Sequence, residues 1–233
     1  MHKCKQTMTN ELSFLPENSF LEFVTLLQEQ LANEVNLNSL PCSKIKNISA
    51  VDVAYDSERS VAAAVIWNIR TRRVIEEVTC SDRVVFPYIP GFLALREGPA
   101  ALKALRRVKH KVDLILFDGH GIAHPRAAGL ATTMGILLHC PTIGIAKRLL
   151  VGEFSKDLPI SPIRLNGKNV GYSFALGSNR RFYVSPGNMC SIEDIPRVMS
   201  LIGPNYPAVM RLADSAARKG LKGLENRTDS NIT

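Results

Sequence analysis

Two aspartates interrupt apolar runs in this chain, and they define the chemistry to be sought. In Val51-Asp52-Val53-Ala54-Tyr55-Asp56, strand alternation directs Asp52, Ala54 and Asp56 to one face, and Asp52 sits inside a run otherwise fit for burial. An ionised carboxylate in such a place needs a cation, several hydrogen-bond donors or a shifted pKa, because its charge has lost its water. Asp118 repeats the pattern, closing Leu114-Ile115-Leu116-Phe117 ahead of Gly119, at a strand end where open sheets place ligands. On neighbouring strands the two would form an oxygen-only site with room for water, suited to Mg2+ or Mn2+. Such ions activate water and neutralise charge on a phosphoryl oxygen. Glu97, six residues after Gly91 and early in a predicted helix, is placed to join them. The competing reading is structural, with one capping and one salt-bridged aspartate.

Two loops stand beside these carboxylates in the sequence. Phe86-Pro87-Tyr88-Ile89-Pro90-Gly91 holds an aromatic and an aliphatic side chain between prolines that restrict the backbone on either side. Such a loop can carry an exposed wedge of the kind that unstacks bases, or it can be an ordinary loop with a buried tyrosine. Gly119-His120-Gly121 forms a turn whose backbone can approach a base or phosphate closely. His120 and His124 are four apart, but two histidines converge on a metal at that spacing only within a helix. Pro125 starts the next predicted helix after them, so hydrogen bonding in a loop is the expected role.

The elements that must position these groups follow from periodicity. Phe20, Phe23, Val24, Leu27 and Leu31 mark an amphipathic helix over 17–36, expected to pack across a sheet. Runs at 48–56, 60–69 and 73–80, separated by short turns, predict an antiparallel meander. Helices at 91–108 and 125–138 alternate with strands at 112–118 and 142–146, so the sheet is predicted to be mixed. A hairpin is predicted from 163–166 and 171–176 around Gly167-Lys168-Asn169, followed by helices over 192–202 and 206–220.

Composition bounds the function classes. The chain has 233 residues with 45% hydrophobic and 21% charged residues, which places it among ordinary globular proteins and away from disordered, collagenous or disulfide-scaffold sequences. A length of this order buries roughly 70% of the unfolded surface without a disulfide or structural metal. It reads as one domain over 1–233, with 1–12 and 219–233 as flexible tails. No run approaches the ~20 apolar residues of a membrane span, and the N-terminus lacks a secretory pattern, so a cytoplasmic protein without membrane partners is expected. Five cysteines without a CxxC pair fit reduced thiols. Residues 1–40 carry two Lys against five Glu, so the remainder carries +11 of charge and the whole chain +8. Its clusters, among them Arg70/Arg72/Arg73, Lys147/Arg148 and Arg180/Arg181, suit a polyphosphate backbone, although solvated faces would carry the same charge.

VDVAYD, FPYIPGFLALREGPA, FDGHGIAHPRAAGLA and PTIGIAKRLLVGEF together resemble the endonuclease V family of deoxyinosine-specific nucleases, in the family's order and spacing over roughly 13–218. The resemblance implies an RNase H-like α/β fold, a mixed five-stranded sheet flanked by helices. It implies Mg2+, with Mn2+ able to substitute, on Asp52 and Asp118; Glu97 completes the acidic set through metal or water. Asp214 approaches from the C-terminal helix, at a position where many relatives have His and others Asp. Lys147 neutralises phosphate. Pro87, Tyr88, Ile89 and Pro90 correspond to the family's wedge, with Tyr88 at the damaged-base step, and Gly91, Leu93, Gly119 and Gly121 to the wall of a base pocket. Ala127 departs from the pattern, since relatives commonly carry a second arginine after His-Pro-Arg; Arg126 is retained.

The implied activity is hydrolysis of the second phosphodiester 3′ to a deaminated purine, with inosine-containing DNA as the partner and inosine in RNA as the alternative substrate. Another nuclease on the same fold, such as a junction resolvase, would share the carboxylates and lack the wedge. A non-catalytic nucleic-acid-binding module would not need Asp52, Glu97 and Asp118 intact.

Overall fold

The computed structural model describes residues 16–177, 179–203 and 205–229, so the expected N-terminal tail lies outside the described residues. Strands β1 (Asn47–Tyr55), β2 (Arg59–Asn68) and β3 (Arg73–Arg83) form the antiparallel meander. The first turn is closed by Asp56, whose carboxylate accepts from the backbone N–H groups of Glu58 and Arg59 and pairs with the Arg59 guanidinium at 2.9 Å. Helix α2 (Leu93–Leu105) leads to β4 (Leu114–Asp118), parallel to β1, and α3 (Leu130–Leu138) leads to β5 (Thr142–Ala146), parallel to β4. The two crossovers make the sheet mixed, as the alternation of strand and helix patterns requires.

The sheet does not stop at five strands. β6 (Ile160–Leu165), β7 (Lys168–Leu176) and β8 (Arg180–Asn188) continue it to eight, in the order β3-β2-β1-β4-β5-β8-β7-β6. The expected five are one contiguous section. β8 escapes sequence reading because Pro186-Gly187 looks like a turn. It is nevertheless an inner strand, because Pro186 lies opposite Ile143 where the β5 register shifts, so no ladder hydrogen bond is demanded of a residue without an N–H. The hairpin turn falls at Asn166-Gly167, both at positive φ (51° and 78°), one step earlier than expected.

Alternation along the strands builds two cores. Ile48 and Ala50 of β1, Leu114 and Leu116 of β4, and Ile143 and Ile145 of β5 face α4 (Asp194–Ile202) and α5 (Ala208–Asp229). Val51, Val53, Ile115 and Phe117 face the alanine-rich α2 and α3 on the other side.

Three element expectations need correction. Helix α1 (Asn18–Asn33) does not cross the sheet; only Val24 and Gln28 are buried, against the loop holding Phe86 and Phe92 and near α3. Helix α3 begins at Leu130 rather than at 125, because a Cβ on Gly129 would lie 2.3 Å from the His120 carbonyl oxygen, so this close approach ends the loop. Helix α5 runs to Asp229, beyond the expected end at 220, and a Cβ on Gly220 would meet Val61 at 2.8 Å, so the helix is still packed on β2 at Gly220. The four cysteines among the described residues are free, and no described helix is long and apolar enough to cross a membrane.

Candidate active site

Strand register brings the two aspartates together. Val51 of β1 and Phe117 of β4 are the last paired residues of the parallel ladder, so Asp52 and Asp118 stand side by side one residue further on. Strand alternation puts both on the face covered by α5, from which Asp214 and Arg218 reach the same place. Glu97 arrives from α2 on the opposite face, and Lys147 from the segment just after β5. These groups line one open cleft of about 570 Å³, together with Tyr55, Tyr88 and Leu93. All five sequence-predicted catalytic residues therefore converge, although they are spread from 52 to 214.

The electrostatics are those of carboxylates crowded together, the innermost of them largely buried. Burial, then the neighbouring Asp118 charge, pushes Asp52 up to about 7, with Lys147 and the Val53 N–H opposing. Burial and then Asp52 and Asp118 hold Glu97 well above the ordinary carboxylate range. Asp118 is also raised, chiefly by burial, against the relief it receives from Lys147 Nζ, which donates to its Oδ2 at 2.5 Å. Burial alone would lower the Lys147 ammonium. The hydrogen bond to Asp118 and the charges of Asp118, Asp52 and Asp214 outweigh it and hold the lysine above its usual value. Asp214 pairs with Arg218 at 2.9 Å on the same helix. Lys147 also lies 5.9 Å from the Tyr206 ring centroid, so its cationic head is held between a carboxylate and an aromatic face.

Asp118 raises Asp52, and both raise Glu97, with a single lysine on Asp118, so the cluster concentrates negative charge that a cation would relieve. Among the described residues no group of three or more His, Cys, Asp or Glu is arranged to hold a metal ion together. Asp52 and Asp118, oxygen donors on adjoining strands, are the pair that could hold a hard cation such as Mg2+, which takes one or two carboxylates and keeps its waters. His120 and His124 play no part in it. Both are pushed down to about 4 by burial and are neutral, and His124 Nε2 bonds the Gly91 carbonyl at 3.0 Å while its Nδ1 accepts from the Arg126 N–H.

A second cavity of about 220 Å³ lies beside the cleft. Tyr88, Ile89, Pro90, Gly91 and Leu93 line one side, His120, His124, Ala128 and Gly129 another, and Arg148, Leu149 and Leu150 a third. Of the four predicted pocket residues, Gly91 and Leu93 line it. Gly119 and Gly121 do not; they are packing glycines. A Cβ on Gly121 would lie 2.0 Å from the Pro186 carbonyl oxygen in β8, and one on Gly119 would meet Leu130 and Leu93 near 3.3 Å. Tyr88 is 61% exposed and borders both cavities, whereas Ile89 packs towards Phe86 and Phe92.

Sequence reading missed the apparatus that holds this loop. Gln28 Nε2, His124 Nε2 and Arg126 Nη2 all reach the Gly91 carbonyl, at 3.0, 3.0 and 2.8 Å, and Arg126 Nε donates to Gln28 Oε1 at 2.7 Å. Gly91 itself has φ +84°. Arg96 ties the loop's other end, donating to the Phe86 carbonyl at 2.8 Å and stacking on Tyr55 at 3.9 Å. A glutamine within an otherwise apolar helical stripe was the available signal for Gln28.

A mixed sheet that brings a carboxylate cluster and a lysine to adjoining strand ends is an arrangement suited to the phosphoryl chemistry of nucleases. The Endonuclease V family model matches residues 29–215. Endonuclease V of Methanopyrus kandleri is 39% identical over 210 residues, covering 87% of this chain and 90% of that protein. The crystal structure of Endonuclease V from Streptomyces avermitilis superposes with a TM-score of 0.81 at 32% identity, covering 91% and 96% of the two chains. That of Ciona intestinalis Endonuclease V, in complex with a 24mer DNA containing an inosine followed by a ribo-adenosine, gives 0.79 at 23%, covering 89% and 100%. The chain belongs to the Endonuclease V family.

Proposed function

We propose that the protein is a Mg2+-dependent endonuclease of DNA repair, acting in the cytoplasm on strands that contain deoxyinosine and hydrolysing the second phosphodiester 3′ to the deaminated base. The observation that carries this reading is Tyr88, an exposed ring bordering both a carboxylate-lined cleft and a small neighbouring pocket. A ring so placed fills the gap left in a base stack when one base turns aside into the neighbouring pocket. The Ciona intestinalis relative was crystallised with inosine-containing DNA, which supports the choice of base.

Within this reading Asp52 and Asp118 hold the ion, which supplies positive charge against the phosphoryl oxygens when bound. Mn2+ takes the same oxygen donors. Lys147 Nζ, next to Asp118 Oδ2, turns its ammonium to the negative charge that builds on the phosphate. Glu97, held well above the ordinary carboxylate range by burial, offers a carboxyl oxygen beside the cleft as a proton acceptor. Arg218 holds the Asp214 carboxylate at the cleft edge. The pocket reads the base and leaves its glycosidic bond intact.

The test is cleavage of matched DNA and RNA strands, with and without one inosine, in Mg2+ and in EDTA, with product ends mapped. Expected is a Mg2+-dependent nick displaced to the 3′ side of inosine, leaving 3′-hydroxyl and 5′-phosphate ends, faster on DNA. Asp118→Asn should abolish the nick and spare binding. Cleavage indifferent to inosine, or full activity in Asp118→Asn, overturns the reading.

A further inference from the structure

We propose that a groove running from Lys147 along β8 is a second nucleic-acid contact that holds unpaired nucleotides of the strand leaving the catalytic cleft. The assignment of the cleft rests on the nuclease reading; the groove itself is argued from its own lining. It measures about 1150 Å³ and is lined by Lys147, Lys156, Arg180, Arg181 and Arg211, with no aspartate or glutamate among its described lining residues. A concavity whose described lining carries five cations, only Lys147 of which is paired with a carboxylate, Asp118 of the cleft, selects a polyanion, and Lys147 makes it continuous with the cleft.

Its cations divide into two kinds. Arg181 is fixed by the protein, donating from Nε to Ser173 Oγ and from Nη2 to the Leu158 carbonyl, both at 2.6 Å, while it lies over the Phe154 ring at 5.0 Å. Lys156 and Arg180 are exposed, with no side-chain hydrogen bond or ion pair to another described residue, so their charge is available to a ligand.

Aromatic rings decide what kind of polyanion fits. Phe154 meets Tyr183 edge-on at 5.5 Å, and Tyr206 closes the end next to Lys147. Half-buried rings set among cations are the stacking platform that single-strand sites use, because every unpaired base offers a π face while paired bases keep theirs inside the helix. An acidic polypeptide would use the cations and gain little from the rings.

The test measures binding of labelled oligo(dT), without inosine, by fluorescence anisotropy across a salt series, so it does not depend on lesion recognition. Removing both free cations in Lys156→Ala/Arg180→Ala should lower the steepness of log affinity against log salt by roughly 1.4. Phe154→Leu, which keeps apolar volume and removes the ring, should weaken oligo(dT) by roughly tenfold with the salt slope unchanged, and leave blunt duplex binding as in the wild type. Thermal melts of each variant separate a binding loss from a folding loss. Wild-type affinity and slope in both variants overturn the proposal even where inosine strands are cleaved. Displacement by polyglutamate together with no effect of Phe154→Leu overturns it in favour of an acidic polypeptide. Loss of oligo(dT) binding in the variants of a protein that fails to cut inosine strands supports the groove and removes the substrate reading instead.

Discussion

Lys147 answers several carboxylates at once. It donates to Asp118 and stands within the field of Asp52 and Asp214, so the charge on three elements depends on one side chain from a fourth. Lys147→Ala should lower kcat by about 10²–10³, the usual cost of losing a positioned charge at a reacting centre. A KM little changed, measured on inosine strands in saturating Mg2+, would separate this from lost binding. At the wedge, Tyr88→Phe should preserve cleavage because the ring remains, and Tyr88→Ala should lose it. Equal activity in all three proteins would remove the wedge role from this exposed ring. Sequence identifies these residues because a carboxylate or an aromatic in the wrong company is visible without coordinates. Gln28 is far less visible. Its side chain matters through contacts 63 and 100 residues away, to Gly91 and Ala128, and no local pattern carries that.

Among the elements, the segment from Gly119 to Gly129 is the most constrained. It threads between β5, β8 and the start of α3, and Gly144 is equally tight, since a Cβ there would lie 2.4 Å from both the Gly119 carbonyl oxygen and the Gly121 nitrogen. The Gly121 N–H donates to Ser185 Oγ at 2.9 Å, and the Ile122 N–H to the Pro186 carbonyl at 2.8 Å, pinning the loop to β8. Gly121→Ala must push the loop off this strand and should destabilise the fold by about 1–3 kcal/mol, the range for overpacking. Chemical denaturation reads that value, and activity should fall with it because His120 and His124 move with the loop. A variant as stable as wild type would mean that the loop has room the geometry denies. The glycines are plain in the sequence, but their partner strand is not. β8 contains Pro186-Gly187 and is recognised only by its place between β5 and β7.

Over the whole molecule, Asp194 joins the segment before β1 to α4. It is fully buried and accepts from the Leu40 and Ser191 N–H groups at 2.6 and 2.9 Å and from Ser39 Oγ at 2.9 Å, with Arg197 at 3.6 Å. Burial alone would raise its pKa; these hydrogen bonds outweigh burial and depress it. A depressed carboxyl stabilises the folded state above its unfolded value of ~3.9, and that contribution disappears as pH falls through the lower folded value. Asp194→Ala should therefore cost about 2–4 kcal/mol at neutral pH, since two buried N–H groups lose their acceptor. Thermal melts should show the gap between wild type and Asp194→Ala closing below about pH 4. A gap that stays constant down to pH 2 would assign the loss to packing alone.

The chain's own order of residues determined the carboxylates, the proline-framed Tyr88 loop, the strand–helix alternation and the basic balance, because each is written in neighbours a few positions apart and follows from local periodicity and the cost of burying charge. Tertiary structure alone decided that Asp52 and Asp118 share a parallel register, that Gly91 and Leu93 line a pocket while Gly119 and Gly121 serve packing, and that three more strands extend the sheet to carry a basic aromatic groove. Those facts depend on which distant segments meet, and distance along the chain places no constraint on that until the whole core has closed around them.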